Sequence, residues 1–174
     1  MDLFKTIITQ RAVRHFLDRP LPDDVLERIL QAGRWAGSAK NTQPWQFIVV
    51  RTRETLNQLA TCGQYASHLR GAAVGIVLVI QPGRRAGFDA GRAAQNMMLA
   101  AWAEGVGSCL ASLHDEDCAR AVLEVPENWT VEIAISFGYP DRGAAPTIEG
   151  RPREKILAGL GRRPLSEIVH WEKW

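Results

Sequence analysis

The sequence predicts a single domain in which helices flank a central sheet, and three observations carry that expectation. A length of 174 residues suits one core that removes roughly 70% of the unfolded chain's surface from water. Ala73-Val74-Gly75-Ile76-Val77-Leu78-Val79-Ile80 is almost continuously apolar, the pattern of a strand covered on both faces and so placed at the sheet centre. The span from Asp89 to Glu104 reads as a helix rich in alanine and methionine, polar only at Arg92, Gln95, Asn96 and near its ends, which predicts a buried core helix. Alternation of helices and strands by itself permits either an α+β arrangement or a doubly wound parallel sheet.

The remaining elements follow in order. A first helix is expected from Leu3 to about Gln10, and Pro22-Asp23-Asp24 announces a second whose apolar stripe is Val25, Leu26, Ile29 and Leu30. Gln46 to Val50 reads as a strand, entered in extended form through Pro44. A short helix from about Arg53 to Thr61 precedes the central strand. Gly105-Val106-Gly107 ends the buried helix, with both glycines free to take positive backbone dihedrals, and Ser108 to Leu113 resumes an extended path. Asp115 to Leu123 is a further short helix and Val131 to Gly138 a further strand. Asp141 to Gly161, rich in glycine, proline and arginine, reads as an irregular arm. The tail from Arg162 to Trp174 regains apolar residues, so a surface of this domain or of another subunit is expected to cover it.

Composition excludes several classes of function. Formal net charge is +2, and seventeen of the twenty-one basic residues are arginines spread along the chain, so neither a nucleic-acid stripe nor a membrane-binding patch is formed. Asp89, Arg92 and Glu104 interrupt the buried helix too often for a membrane span of about 20 apolar residues. The early acid at Asp2 and the short apolar stretch after it do not make a secretory signal. Cys62, Cys109 and Cys118 form no CxxC pair, and each reads as a small packed residue, which suits a reducing cytoplasm. Four scattered histidines without HExxH suggest no metal site.

Chemistry concentrates in two stretches. Gly37-Ser38-Ala39-Lys40-Asn41-Thr42-Gln43-Pro44-Trp45-Gln46-Phe47 is a loop of small residues carrying one hydroxyl and two amides into an apolar strand, which suits a flat polar ligand. Arg11 and Arg14, at the end of the first helix, offer guanidinium forks matched to a phosphate. The plainer readings stand beside these. The two arginines can be solvated charges, and Ser38, Asn41 and Gln43 can cap the second helix. Gln95 and Asn96 read as satisfied helix amides rather than catalytic groups, and Trp45 reads as a core anchor.

Four stretches together resemble one family. Gln10-Arg11-Ala12-Val13-Arg14-His15-Phe16, then Ser38-x-x-Asn41-x-Gln43-Pro44-Trp45-x-Phe47, then Asp89 to Ala101, and Gly105-Val106-Gly107-Ser108 are similar in order and spacing to the nitroreductase family of FMN-dependent oxidoreductases. That resemblance implies an α+β sandwich, with a central mostly antiparallel sheet of four or five strands flanked by helices. It implies an interlocked homodimer in which 141–174, part of the single domain 1–174, forms a C-terminal arm around the partner.

The same resemblance assigns an FMN site. Gln10, Arg11 and Ala12 fall on the phosphate side and Arg14 on the pyrimidine carbonyl and N1. Gly37, Ser38, Ala39, Asn41 and Gln43 form the loop at the cofactor, the amides of Ser112 and Leu113 approach N5 with Leu110 against the ring, and Arg162 or Arg163 adds to the phosphate site. Gln10 and Ala12 replace a cation and a hydroxyl common in the family, Gly37 replaces its proline, and Lys40 adds a charge. No catalytic side chain is named, because the flavin carries the chemistry. The implied function is transfer of hydride from NADH or NADPH to nitroaromatic, quinone or related small acceptors by a ping-pong cycle. Flavin sequestration without turnover, dehydrogenation, dehalogenation and flavin breakdown remain as alternatives, as does an unrelated phosphate-ligand module using Arg11 and Arg14.

Overall fold

The computed structural model describes residues 2–141 and 161–174. Nine elements run in the order α1 (Leu3–Thr9), α2 (Asp23–Arg34), β1 (Trp45–Val50), α3 (Arg53–Leu59), β2 (Val74–Ile80), α4 (Ala86–Ala103), β3 (Gly107–Ala111), α5 (Glu116–Leu123) and β4 (Thr130–Gly138). The strands form one sheet in the order β1-β2-β4-β3, and every pairing is antiparallel. This is the α+β alternative; no strand pair of the described sheet is parallel.

Period-two alternation decides which side each residue of β2 serves. All seven residues of β2 are buried. Val74, Ile76, Leu78 and Ile80 face one core with Leu26 and Ile29 of α2 and Ala93 and Met97 of α4. Val77 and Val79 face a second with Leu56 and Leu59 of α3, Leu69, and Ala119 of α5. The central position expected for this run is therefore the observed one, and its β4 pairing slips once, between Leu78 and Val79. Helices α2 and α4 sit close because Gly33 leaves room that Met97 fills; a Cβ there would lie 2.1 Å from the Met97 methyl. Asn96 Nδ2 donates to the Ala32 carbonyl at 3.2 Å, the satisfied amide expected of it, and Trp45 is a core residue at 6% exposure.

Two expectations are corrected. Cys62 and Cys118 are not separate packed thiols: they form a disulfide with Cα atoms 5.5 Å apart, because the end of α3 packs against α5 on the second core. Cys109 alone is free, and it is buried. The pairing removes the ground on which a reducing compartment was expected; among the described residues no helix is long and apolar enough to cross a membrane. Gly105 does take a positive φ of 76°, but Gly107 lies within β3, where its lack of a side chain serves close approach rather than a turn.

The tail stays open to solvent, although its first residues bring the charge of Arg162 near Arg11. All of 161–174 is exposed, with Leu165 at 73%, Trp171 at 86% and Trp174 fully open. Most of the irregular arm expected over Asp141 to Gly161 lies outside the described residues.

Candidate functional site

The segment carrying Arg11 and Arg14 is fixed to the end of the sheet. The N–H of Val13 donates to Ser108 O at 2.9 Å, that of Leu17 to Tyr139 O at 2.9 Å, and that of Asp141 to His15 O at 3.0 Å. Ala12 bridges Ser108 and Phe16 bridges Pro140. Glycines make the approach possible: a Cβ on Gly107 would lie 2.7 Å from Val13 side-chain atoms, and one on Gly138 would lie 2.8 Å from the Phe16 ring. Upstream, Trp102 Nε1 of α4 donates to Thr9 Oγ1 at 3.0 Å, fixing the helix end from which the arginines emerge.

Arg11 is held but not satisfied. Its Nη1 donates to the carbonyls of Ile8 at 2.9 Å and Gln10 at 2.6 Å, while Nη2 is buried without a partner. Burial, and after it the charge of Arg162, holds the guanidinium below its ordinary value. Two cations from distant parts of the sequence therefore repel one another around a donor that has nothing to donate to, which is the environment an anion relieves. Arg163 is engaged elsewhere, donating from Nε to Glu167 Oε2 at 3.2 Å and from Nη2 to the Glu167 carbonyl at 3.0 Å. Gln10 is half-buried, and Arg14 is exposed.

Strand β3 continues the same region. Leu110, on the open edge of the sheet, is 44% exposed, and Ser112 after it is exposed while Leu113 turns into the second core. Beneath them lies a polar cluster that the sequence did not single out. His68 Nδ1 is 2.7 Å from Ser136 Oγ, and that hydroxyl is 3.3 Å from the Cys109 carbonyl. Cys109 is 3% exposed, and burial pushes its thiol up with the Arg14 charge opposing, the environment of a packed cysteine.

The Ser38–Gln43 loop is a separate construction. It does not cap α2, whose last carbonyls are met by the N–H groups of Trp35 and Ala36. Instead Ser38 Oγ accepts from the Gln43 N–H at 2.9 Å, closing the loop on itself, while Lys40, Asn41 and Gln43 take φ values of 52°, 56° and 47°. Left-handed backbone at three non-glycine positions is the kind of strain that collects at ligand sites. The anchor is Asp89 of α4, 3% exposed, whose Oδ2 accepts from the Ala39 N–H at 3.0 Å. The Arg92 guanidinium lies over Gly37, where a Cβ would meet it at 2.7 Å. Sequence reading missed Asp89 and Arg92 in these roles; an acid in the first turn of a helix signals a dipole partner, not a tie to a loop fifty residues away.

The two constructions stand at opposite corners. Trp45, just after the loop, pairs with Ile80, and Ile80 with Thr130, at one end of the sheet, on edge strand β1. The arginine segment meets Gly107 and Gly138 at the other end, beside edge strand β3. Helix α4 gives an independent ruler, because Asp89 holds the loop and Trp102 holds the arginine segment, about 20 Å apart along an α-helix at 1.5 Å per residue. Among the described residues, no hydrogen bond or ion pair joins the two.

The model of the nitroreductase family matches residues 7–68 and 64–139. A protein of Archaeoglobus fulgidus that carries the provisional name NADH dehydrogenase/NAD(P)H nitroreductase is 34% identical over 184 residues, covering 99% of each chain. The structure of an FMN-dependent nitroreductase from Clostridium difficile superposes with a TM-score of 0.84 at 25% identity, covering 98% of this chain and 99% of that one. The NADPH:FMN oxidoreductase of Vibrio harveyi, solved with NAD+, gives 0.82 at 26% identity over 99% of this chain and 77% of its own.

Proposed function

Because the chain belongs to the nitroreductase family, we propose that it is an FMN-dependent oxidoreductase whose cofactor site is completed by a second copy of the chain. It takes hydride from NADH or NADPH and delivers electrons to nitroaromatic, quinone or related small acceptors in ping-pong fashion. What supports the cofactor assignment is the buried Nη2 of Arg11, without a hydrogen-bond partner among the described residues, in a guanidinium that the charge of Arg162 helps to hold below its ordinary value. A terminal phosphate monoester supplies the missing acceptors and the missing negative charge at once.

When bound, FMN supplies the hydride acceptor and donor. The chain's own residues do the holding. Arg11 and Arg162 take the phosphate; with glutamine at position 10 and alanine at position 12 there is no third cation or hydroxyl in that stretch, so these two carry the charge. Arg14 places a cation at the pyrimidine edge, where negative charge accumulates on reduction. Leu110 offers an apolar platform on the open edge of β3, and the Ser112 and Leu113 backbone follows beside it.

Gly37, Ser38, Ala39, Asn41 and Gln43 stand too far from Arg11 for one mononucleotide to touch both within a single subunit. A second copy that brings its loop to the first copy's arginines completes the site, and the uncovered apolar tail, from Leu165 to Trp174, is suited to hold the two copies together. Arg163, engaged with Glu167, serves that tail.

A visible absorption spectrum after incubation with FMN, followed by steady-state oxidation of NADH and NADPH, tests the reading. Yellow protein that prefers FMN to FAD and turns over supports it. Bound flavin without turnover would make the protein a flavin carrier, and no flavin at all would leave an unrelated phosphate site. Sizing with in-line flavin absorbance on a chain lacking Leu165 to Trp174 tests the second part: a stable monomer with stoichiometric FMN would show that one subunit suffices.

A further inference from the structure

The Cys62–Cys118 disulfide closes two stretches of chain that also meet through three weaker contacts. The Asp115 N–H donates to the Cys62 carbonyl at 2.9 Å, a Cβ on Gly63 would lie 2.3 Å from the Ser112 carbonyl oxygen, and the Tyr65 ring meets the His114 ring edge-on with centroids 6.3 Å apart. Residues 62–65 and 112–118 therefore run zipped together, and the backbone of Ser112 rests directly on Gly63.

The two cysteines differ in reach. Cys62 is 1% exposed, whereas Cys118 is half-buried in the first turn of α5, where its N–H donates to Oδ1 of the capping Asp115 at 2.9 Å. Exchange with an external thiolate therefore starts at Cys118. The reduced protein has what it needs to stay folded. Cys62 Sγ lies 3.5 Å from the Gln58 carbonyl oxygen, an acceptor for its thiol proton, and Leu59, Leu113 and Ala119 hold both flanks to one core.

We propose that Cys62–Cys118 is a thiol-exchange site through which a dithiol reductant controls flavin binding. This rests on the FMN reading above, which sets the Ser112–Leu113 backbone beside the cofactor. One thiolate of the dithiol bonds to Cys118 Sγ as the Cys62–Cys118 bond breaks, and Cys62 leaves as a thiolate. The second thiolate closes a disulfide within the reductant and releases Cys118. Two electrons pass to the protein, and the two protons given up by the dithiol are balanced by two taken up on the cysteines. Sulfurs no longer bonded part to van der Waals contact, the Gly63 contact on Ser112 loosens, and FMN is held more weakly. By linkage, the factor that reduction takes from FMN affinity is the factor by which FMN resists reduction. A cross-link that only staples the fold has no such coupling within the folded protein.

The test is FMN titration, by flavin fluorescence in the dark, of wild-type protein poised with reduced or with oxidised dithiothreitol. Circular dichroism checks the fold, and mass after alkylation reads the thiol state. Reduced protein is expected to bind FMN at least about fivefold more weakly, the lower end of couplings between sites. The ratio of reduced to oxidised dithiothreitol that opens half of the disulfides should rise by the same factor at saturating FMN. Cys118→Ser should bind FMN as the reduced wild type does and ignore dithiothreitol; the wild-type measurements need no variant. Equal FMN affinity in the two thiol states, a disulfide equilibrium indifferent to FMN, or a disulfide that opens only on unfolding would each overturn the proposal while FMN binding itself stands. Absence of FMN binding in both states would overturn this inference and the reading beneath it.

Discussion

The arginine segment and the Ser38–Gln43 loop carry the two halves of the proposed site, and the chain builds them by opposite means. The arginine segment is tied by three backbone hydrogen bonds to the body of the fold and lies on two glycines that leave no slack. Among the described residues, the loop is tied to another element between Ser38 and Gln43 by one hydrogen bond, to Asp89, and otherwise to itself. Its backbone is left-handed at three non-glycine positions. One half is thus set by sheet geometry, and the other is held in an unfavourable conformation by a single buried carboxylate. Perturbing the first should cost stability and cofactor together; perturbing the second should separate them.

The largest effect is expected at the staple behind the arginine half. The Cys62–Cys118 disulfide closes a separation of 56 residues, which the chain-entropy model values at about 4 kcal/mol. Next to it, the Asp115 N–H donates to Cys62 O at 2.9 Å, and a Cβ on Gly63 would come within 2.3 Å of the Ser112 carbonyl oxygen. Reduction should therefore lower the denaturation midpoint and loosen the Ser112–Leu113 segment. Denaturant titration with and without a thiol-free reductant measures it. A loss below about 1 kcal/mol would mean that packing alone holds these segments.

Gly107→Val comes next. The new side chain would occupy the space of Val13, and overpacking of this kind costs typically 1–3 kcal/mol; with β-branching against a backbone-tied segment we expect the upper end. Flavin affinity should fall in parallel because Arg11 and Arg14 move with Val13. Retained affinity in a destabilised protein would detach the arginines from the site.

How far these features can be read without coordinates differs between the two halves. The apolar run of β2, the alanine-rich α4 and the start and apolar stripe of α2 are local patterns, and the sequence alone places them. Antiparallel order came from family resemblance, since a run such as Val74–Ile80 is equally consistent with a parallel sheet. Arg11 is legible as a candidate cation, but its orphaned Nη2 and its partner Arg162 arise from tertiary placement. The disulfide, the His68–Ser136 pair and the Asp89 tie join residues 56, 68 and 50 positions apart. No spacing rule links such pairs, and the left-handed loop is written in lysine and glutamine, which give no sign of it.

Asp89→Ala removes the loop's anchor and should cost about 2 kcal/mol, in the range for a hydrogen bond to a charged acceptor. Its signature differs from that of Gly107→Val: flavin should be lost while the arginine segment keeps its amide protection in hydrogen exchange. Simultaneous loss of protection at Val13 and Leu17 would show that the two halves are coupled through α4.

The smallest effect, and the one with the opposite sign, is expected at Lys40→Gly. A non-glycine residue in left-handed backbone costs roughly 1–2 kcal/mol, while glycine brings back about 0.5–1 kcal/mol of chain entropy. Lys40 is exposed and makes no hydrogen bond or ion pair among the described residues, so little else changes. The flavin-free protein should gain about 0.5–1 kcal/mol, a rise of roughly 1–4 °C in Tm for a chain of this size. Asn41→Gly is the control, because asparagine already tolerates this region, and it should gain less. If strain in the loop serves the ligand, the added freedom must be frozen out on binding, so Lys40→Gly should hold FMN more weakly than wild type even as it melts higher. Calorimetry of the flavin-free protein paired with FMN titration measures both quantities on one sample. A variant that melts lower would show that the loop's backbone is stabilised by Lys40 rather than strained by it, and the contrast between a relaxed arginine half and a strained loop half would fail.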